Sequence, residues 1–377
     1  MERLPLVSVC MPAYNHEKFV GEAIESILGQ TAGDLELLVC DDQSSDGTFD
    51  VINSFGHDER LHVARMPFRS GPSVTLNEAL RRARGKYIAF CASDDRWLPE
   101  KLERQIAFLE QHPEKCAVFC RPWLIDEFGE RASDKLHLLS NAIGAESFGR
   151  TDWFAGFFFR GNCLCASSPL LRADAVRRTG EFDPLLLQLQ DFDYWLRLLA
   201  HSDLALTQDR LMEYRVDSGG VNLSRPSVTA SARSWFEASR VMRHFTTDAA
   251  IAALALVRVD GPDPFSWRPP VPDQNLMLAN LALRQAQSAY APAHVLFALD
   301  CLHRYAANSP SLIGHADEMR LFSLALFEVT GSQIVQDVFL GATQRGMKPA
   351  PELASTLSEP TIRKGLWGAV LQKMGLQ

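Results

Sequence analysis

Short apolar runs and one helical pattern open the sequence. Residues 6–11 are almost continuously apolar, which is typical of a strand buried on both faces of a sheet. Residues 19–28 carry apolar side chains at helical spacing, and Gly29 is a stop signal. Leu35, Leu37, Leu38 and Val39 form a second, largely apolar run. This pattern predicts a strand–helix–strand unit of an α/β sheet.

Polar side chains follow each predicted strand at the point where it ends. The segment Pro-Ala-Tyr-Asn occupies residues 12–15, and the next loop carries the carboxylates of Asp41, Asp42 and Asp46. Open α/β sheets bind their ligands outside the carboxyl ends of their strands. The first turn lacks the G-x-G-x-x-G motif of dinucleotide-binding proteins, so phosphate would have to be held in another way. Acidic side chains at this edge indicate a divalent cation.

A second acidic loop follows a third predicted strand, residues 85–91. Its carboxylates, Asp94 and Asp95, are oxygen ligands of the kind that Mg²⁺ and Mn²⁺ take, usually together with substrate phosphates. The alternative is that they only cap the next helix, which is predicted to have Pro99 at its first position. Two acidic loops after two strands of one sheet favour metal binding.

Composition narrows the class of protein. The chain of 377 residues has a formal net charge of -8, which argues against nucleic-acid binding. Its start leads directly into the first strand, and no apolar run has the length of a membrane span, so we expect a cytoplasmic enzyme without a signal peptide. The 8 cysteines lack zinc-ligand spacing and are interpreted as buried structural thiols.

Four motifs occur in the same order and with roughly the same spacing as in a known protein family, and such a set is specific. They are V-S-V-C-M-P-A-Y-N at 7–15, D-D-Q-S-S-D-G-T at 41–48, G-K-Y-I-A-F-C-A-S-D-D-R-W-L-P-E-K-L at 85–102 and Q-D-F-D-Y-W-L-R at 190–197. Together they resemble family 2 glycosyltransferases with the GT-A fold, from residue 6 to about residue 225. The resemblance implies an α/β fold, a Rossmann-like mixed sheet flanked by helices, with an α-helical C-terminal region.

The resemblance also implies an activity. Such an enzyme transfers a sugar, with inversion, from a nucleotide-diphosphate sugar to an acceptor hydroxyl, and uses Mn²⁺ or Mg²⁺. A UDP-sugar is the favoured donor, and a saccharide or lipid-linked glycan is the expected acceptor, in bacterial surface polysaccharide or glycan biosynthesis. The metal neutralises charge on the leaving diphosphate, and a carboxylate base activates the acceptor.

Residue roles follow from the matching motifs. Tyr14 would stack on the nucleobase, Asp42 would hydrogen-bond the base or ribose, and Asp95 would be the direct metal ligand. The other implied nucleotide contacts are Pro12, Ala13, Asn15, Arg69, Ser93 and Asp94. Asp191 is implied as the catalytic base.

The acceptor-site candidates are Trp153, Asn162 and Gln190. An aromatic ring such as Trp153 could pack on a sugar, whereas the phenylalanines that follow it are expected in the core. The apolar segment 185–189 is either a mobile flap or packing.

Three departures from the family pattern favour an alternative. Ala92, Gln190 and Asp217 replace an Asp, a Glu and a His of the usual motifs. They favour a non-catalytic nucleotide-sugar-binding or scaffold protein that uses its helical C-terminus for partners. Asp191 and the Asp94-Asp95 pair favour the enzyme.

We expect two domains. Residues 1–228 form the catalytic domain, with a donor half at about 1–120 and an acceptor half at about 121–228. Residues 229–377 form an α-helical region, a candidate module for interaction or homo-oligomerisation.

Helices are predicted in that region at 231–257, 274–289, 293–307 and about 317–340, with a proline-rich break at 260–272. Basic and aromatic residues near the end of the chain are candidates for contact with the inner face of the membrane: Arg363, Lys364, Trp367 and Lys373.

Overall fold

The computed structural model describes residues 3–132, 149–216, 228–257, 273–283 and 291–308. Within these residues, eight strands form one mixed sheet: β1 (Val7–Ala13), β2 (Leu35–Asp41), β3 (Leu61–Arg65), β4 (Tyr87–Phe90), β5 (Arg96–Trp97), β6 (Lys115–Ile125), β7 (Leu170–Arg172) and β8 (Asp203–Arg215). Their order in the sheet is β3-β2-β1-β4-β7-β6-β8-β5. β1 to β4 pair in parallel, and β7 runs antiparallel between β4 and β6.

Helices connect and flank these strands. They are α1 (Val20–Leu28), α2 (Thr48–Ser54), α3 (Pro72–Arg82), α4 (Lys101–Gln111), α5 (Arg150–Arg160), α6 (Ala173–Thr179), α7 (Gln190–Leu199), α8 (Val228–Val241), α9 (Asp248–Leu254), α10 (Gln274–Leu283) and α11 (Ala291–Asn308), with a 3-10 helix at Met242–Thr246. The predicted α/β class with a mixed, Rossmann-like sheet is confirmed, and the described part of the C-terminal region is helical.

Register places the predicted loops at one edge of the sheet. Ala13 lies opposite Asp41 in the β1–β2 ladder, and Cys10 lies opposite Phe90 in the β1–β4 ladder. Since all of these strands run in parallel, the residues that follow them emerge at the same carboxyl edge.

Apolar burial fixes this arrangement. The strand residues Val9, Leu37 and Val39 are fully buried, as are Ala23 and Ile24 on the inner face of α1. Burying each large aliphatic side chain is worth about 1.5–3 kcal/mol. All eight cysteines are buried free thiols, which confirms that prediction.

Two predicted element bounds are wrong. α4 begins at Lys101 with Glu100 as its N-cap, so Pro99 precedes the helix instead of occupying its first position. The carbonyl of Pro99 accepts the backbone N–H of Thr31, which ties this residue to the turn after α1. The helix predicted at 231–257 is interrupted at Thr247, whose extended backbone ends the 3-10 helix and starts α9. Thr and Asp at this point are residues typical of helix starts.

The chain divides into two compact units. One contains residues 1–225 and 240–258, and the other contains residues 226–239 and 259–377. In the second unit α10 packs against α11. The proline-rich break, the helix predicted at 317–340 and the basic C-terminal residues lie outside the described residues, so the domain division remains a prediction. No described helix is long and apolar enough to span a bilayer.

Candidate active site

Asp42 organises the loop that starts α3. Its two carboxylate oxygens accept the backbone N–H groups of Ser70 (2.6 Å) and Gly71 (2.8 Å). Gly71 has φ +89°, and a Cβ there would lie 3.1 Å from a methyl group of Leu187, so only glycine fits this turn easily. The carboxylate therefore fixes the loop that borders the predicted nucleobase pocket.

Tyr14 and Arg69 meet at this edge. The guanidinium carbon of Arg69 lies 4.3 Å from the centre of the Tyr14 ring, a cation–π contact. Phe68, beside it, is 67% exposed. The structure thus brings together two residues that the sequence predicted as nucleotide contacts.

Asn15 joins the first two loops. Its backbone has φ 51°, a left-handed conformation that Asn tolerates better than most residues. Its side-chain oxygen accepts the backbone N–H of Ser45 (2.9 Å), and its own N–H donates to the hydroxyl of Ser44 (3.0 Å). Together with Pro12 and Ala13 at the end of β1, it shapes the backbone on which Tyr14 sits.

The two carboxylates of the second acidic loop have different surroundings. Asp95 is 1% exposed; its Oδ1 accepts the backbone N–H of Arg215 (3.0 Å), and its Oδ2 has no hydrogen-bond partner among the described residues. Burial and the neighbouring charge of Asp94 hold the pKa of Asp95 well above its usual range. The side chain of Asp94 is 13% exposed, and its Oδ2 lies 3.9 Å from Nε2 of His16. Ser93 is buried, and its hydroxyl is 2.8 Å from Nδ1 of His16.

These groups fit a divalent cation. A buried, orphaned carboxylate oxygen beside a second carboxylate is favourable when a cation is present and costly without one. In the described ranges, no group of three or more His, Cys, Asp or Glu side chains could hold a metal ion. The protein would therefore supply only part of the coordination shell, and substrate phosphates would complete it, as is usual for Mg²⁺.

Arg215 fastens this loop to β8. It is 1% exposed, and its guanidinium lies 4.5 Å from the centre of the Phe19 ring. It donates hydrogen bonds to the carbonyls of Asp94 (2.9 Å) and Asp126 (3.0 Å) and to the carboxylate of Glu22 (2.8 Å). The sequence motifs gave this arginine no role, although it lies two residues before Asp217, one of the three departures from the family pattern. Asp217 lies outside the described residues.

Asp191 lies in the first turn of α7. Its Oδ2 accepts the side-chain amide of Asn162 (2.8 Å), and its Oδ1 accepts the backbone N–H of Phe192 (2.7 Å). The amide oxygen of Asn162 in turn accepts the N–H of Leu164 (3.1 Å). Next to Asp191, Oε1 of Gln190 is buried and has no hydrogen-bond partner in the described structure. The structure therefore groups Asn162, Gln190 and Asp191.

Trp153 does not join this group. It is 1% exposed, and its indole N–H donates to the carbonyl of Leu204 (3.2 Å). Because ring and N–H are both used inside the core, the prediction that Trp153 lines the acceptor site does not fit the structure. The phenylalanines 154, 157 and 158 are also buried, as expected.

Hydrogen bonds connect the start of α3 to the segment before Asp191. Asn77 donates to the carbonyl of Phe182 (2.9 Å) and accepts its N–H (2.8 Å), and the Ser73 hydroxyl donates to the carbonyl of Leu186 (2.7 Å). Leu186 is 1% exposed, whereas Leu185 is 70% exposed. Residue 186 is therefore part of the packing.

This sheet, with acidic loops at its carboxyl edge and a positioned carboxylate on α7, defines a GT-A glycosyltransferase. The structure of S. aureus TarS 1–349 in complex with UDP-GlcNAc has the same fold, with a TM-score of 0.56 and 16% sequence identity over 91% of this chain and 93% of that one.

Sequence comparisons give the family. The model for "Glycosyl transferase family 2" matches residues 8–170. Among relatives, "Putative teichuronic acid biosynthesis glycosyltransferase TuaG" of Bacillus subtilis (strain 168) is 31% identical over 245 residues, which cover 64% of this chain and 90% of that protein. The chain belongs to glycosyl transferase family 2, and it is a glycosyltransferase.

A further relative matches a shorter stretch. The "UDP-Glc:alpha-D-GlcNAc-diphosphoundecaprenol beta-1,3-glucosyltransferase WfgD" of Escherichia coli is 43% identical over 104 residues, or 28% of this chain and 41% of that protein.

Proposed function

We propose that this protein transfers a sugar, with inversion and with the help of a divalent metal, from a UDP-sugar to a hydroxyl of a saccharide or lipid-linked glycan. The pathway that we propose is the synthesis of a bacterial surface polysaccharide. The observation that carries the proposal is the hydrogen bond of 2.8 Å from Asn162 to Asp191, because it holds a carboxylate in position as a general base.

The relatives support the choice of substrates. WfgD by its name uses UDP-Glc and an undecaprenol-linked acceptor, and the similar TarS structure contains UDP-GlcNAc. TuaG by its name serves teichuronic acid biosynthesis. These names favour a uridine nucleotide and a carbohydrate acceptor on a carrier.

The proposed donor site is the carboxyl edge of β1, β2 and β4. The Tyr14 ring offers a face for the base, the Asp42 carboxylate holds the adjoining loop, and the Arg69 guanidinium is a cation at the same edge. Asp94 and Asp95 would hold Mn²⁺ or Mg²⁺, which when bound neutralises negative charge on the departing diphosphate.

Asp191 performs the proposed chemistry. It takes the proton of the acceptor hydroxyl while the hydroxyl oxygen attacks the anomeric carbon and the bond to the diphosphate breaks. Asn162 stabilises the ionised carboxylate and fixes its orientation. In this proposal the acceptor donates a hydrogen bond to Oε1 of Gln190, which is buried and has no partner among the described residues. One displacement at one face inverts the anomeric centre.

Calorimetric titration of UDP, GDP and dTDP, each with and without Mn²⁺, tests the donor site. We expect tight, Mn²⁺-dependent binding of UDP that is lost in Asp95→Ala. NMR of the sugar first released from the UDP-sugar then tests inversion, with Asp191→Asn as the inactive control. A folded protein that binds none of these nucleotides would overturn the proposal, and release of sugar with retained configuration would overturn the mechanism.

A further inference from the structure

His16 lies between the first loop and the acidic loop, and the proposed function has not used it. The geometry points to His16 as a nitrogen ligand of the divalent cation, which it would share with Asp94. This inference rests on the proposed metal-dependent function and adds a residue that the acidic motif does not contain.

Distances support a shared ion. Nε2 of His16 lies 3.9 Å from Oδ2 of Asp94, and both side chains are partly accessible, at 16% and 13%. That separation is too long for a hydrogen bond. Two ligand atoms that are each about 2.1 Å from one ion lie roughly 3 to 4 Å apart. The gap therefore has the size of a bound ion.

The second ring nitrogen has the partner that a metal ligand needs. Nδ1 of His16 lies 2.8 Å from the Ser93 hydroxyl, which is itself buried. Metal-binding histidines usually donate their other ring N–H to such a group, which fixes the tautomer. With the proton on Nδ1, the lone pair of Nε2 faces Asp94.

Backbone contacts keep the ring in place. The N–H of His16 donates to the hydroxyl of Thr48 (2.7 Å), and its carbonyl accepts the N–H groups of Phe19 and Val20 (2.9 Å each). The imidazole also packs edge-on near the Phe19 ring, with 6.1 Å between ring centres. A ligand held in this way loses little freedom when the ion binds.

A nitrogen ligand has a consequence for metal choice. Both Mg²⁺ and Mn²⁺ prefer oxygen ligands, but Mg²⁺ is the smaller ion and gives up its waters more reluctantly, so that a single imidazole ligand favours Mn²⁺ over Mg²⁺. We therefore expect wild-type protein with UDP to bind Mn²⁺ at least tenfold more tightly than Mg²⁺. His16→Gln should weaken Mn²⁺ binding about tenfold or more, with little change for Mg²⁺ and for UDP without metal.

Pulsed EPR of the Mn²⁺–UDP complex tests the contact directly. Protein labelled with ring-¹⁵N histidine should show ¹⁵N coupling to Mn²⁺, and His16→Gln should lose it. His62→Gln is the matched control, because Nε2 of His62 lies 3.8 Å from a carboxylate oxygen of Glu36 in another part of the molecule.

The outcomes separate the two proposals. Coupling that depends on His16 supports the inference. A wild-type complex that binds Mn²⁺ and UDP without histidine coupling, or with coupling retained in His16→Gln, overturns the inference and leaves the proposed function intact. Because the labelled wild type gives this answer alone, the test does not depend on how the variant folds. If the wild type binds neither UDP nor Mn²⁺, the proposed function fails and the inference fails with it.

Discussion

The side-chain amide of Asn162 donates a hydrogen bond of 2.8 Å to Oδ2 of Asp191. This bond joins the turn after α5 to the first turn of α7. An amide donor stabilises the charged carboxylate and holds one oxygen, so that the proposed catalytic base is positioned before any acceptor binds.

Loss of the Asp191 carboxylate, the proposed catalytic base, should slow turnover strongly and leave donor binding unchanged. We expect Asp191→Asn to lower kcat by about 10²–10⁴, the usual contribution of general-base catalysis. Asn162→Ala should lower kcat less, by about tenfold, and shift the acidic limb of the pH–rate profile to higher pH, because the carboxylate loses a donor to its charged form. UDP release from the UDP-sugar is the measurement.

Asp174→Asn is the control for this pair, since Asp174 is an exposed carboxylate on the neighbouring helix α6. Equal losses in Asp174→Asn and Asp191→Asn, or an unchanged pH profile in Asn162→Ala, would contradict the assignment.

The contact between Tyr14 and Arg69 predicts opposite effects on two ligands. A nucleobase that stacks on the face of the Tyr14 ring covered by Arg69 must displace the guanidinium. Losing this cation–π contact costs about 0.5–1 kcal/mol. Arg69→Ala should therefore bind uridine as tightly as wild type or up to about threefold more tightly. It should bind UDP several-fold more weakly, because the cation near the diphosphate is lost.

Titration of both ligands into Arg69→Ala and Arg131→Ala checks this prediction. Arg131 is matched in geometry, because its guanidinium carbon lies 4.3 Å from the centre of the Trp123 ring, and its ion pair is with Glu213. Equal weakening of uridine and UDP in Arg69→Ala would show that Arg69 acts on the base instead.

Arg215 should connect metal binding to the position of β8. Arg215→Met removes the hydrogen bond to the Asp94 carbonyl and the ion pair with Glu22. We expect the Mn²⁺–UDP complex to weaken about tenfold or more. The free energy of unfolding should fall by about 1–3 kcal/mol, because the buried carbonyl groups that Arg215 contacts lose their hydrogen bonds.

Arg96→Met provides the comparison, since Arg96 also pairs with Glu22 (3.0 Å), whereas its other hydrogen bonds in the described structure go to Glu213 and Gly129 and not to Asp94. It should lose stability without a comparable loss of metal affinity. Urea unfolding and calorimetry measure the two quantities, and parallel changes in both variants would assign Arg215 a purely structural role.

The buried Lys101 predicts how the free energy of unfolding depends on pH. It is fully buried on α4, its Nζ donates to the side-chain oxygen of Gln105 (2.8 Å), and it lies 3.9 Å from the centre of the Trp97 ring. Burial lowers the pKa of Lys101 to about 8. Between that value and the unfolded pKa of about 10.4, the unfolded chain binds more protons, so this lysine makes the free energy of unfolding rise with pH.

Urea unfolding from pH 7.5 to 10.5 measures this effect as the difference between wild type and Lys101→Met. The difference should be constant below about pH 8 and then change in favour of wild type by about 3 kcal/mol. Lys86→Met, at an exposed lysine, should give no such rise. Curves for wild type and Lys101→Met that stay parallel would contradict the prediction.

Local pattern was enough to predict which loops share one edge of the sheet. Most residues in β1 and β2 are apolar on both faces, which marks them as central parallel strands, and the side chains at their ends then share an edge without further information. The common edge of Tyr14, Asp42 and Asp94 was predicted in this way, and their roles remain a proposal.

Long-range pairing was not predictable from local pattern. The contact between His16 and Asp94 depends on how two loops fold against each other, and the pairing of Arg215 with Glu22 joins residues that lie 193 positions apart in the sequence. The burial of Trp153 was not predictable either. An aromatic residue near a site has the same local sequence pattern whether its ring faces a ligand or the core. Only the packing of α5 places it inside.

The hydrogen bonds from Ser73 and Asn77 to the segment before Asp191 have a kinetic consequence. The loop that Asp42 holds continues directly into α3. A sugar nucleotide that orders this loop would therefore also order the backbone that leads to Asp191, the proposed catalytic base. We therefore expect an ordered reaction in which the sugar nucleotide binds first and UDP leaves last. In such an ordered reaction, UDP is a competitive inhibitor toward the sugar nucleotide and not toward the acceptor.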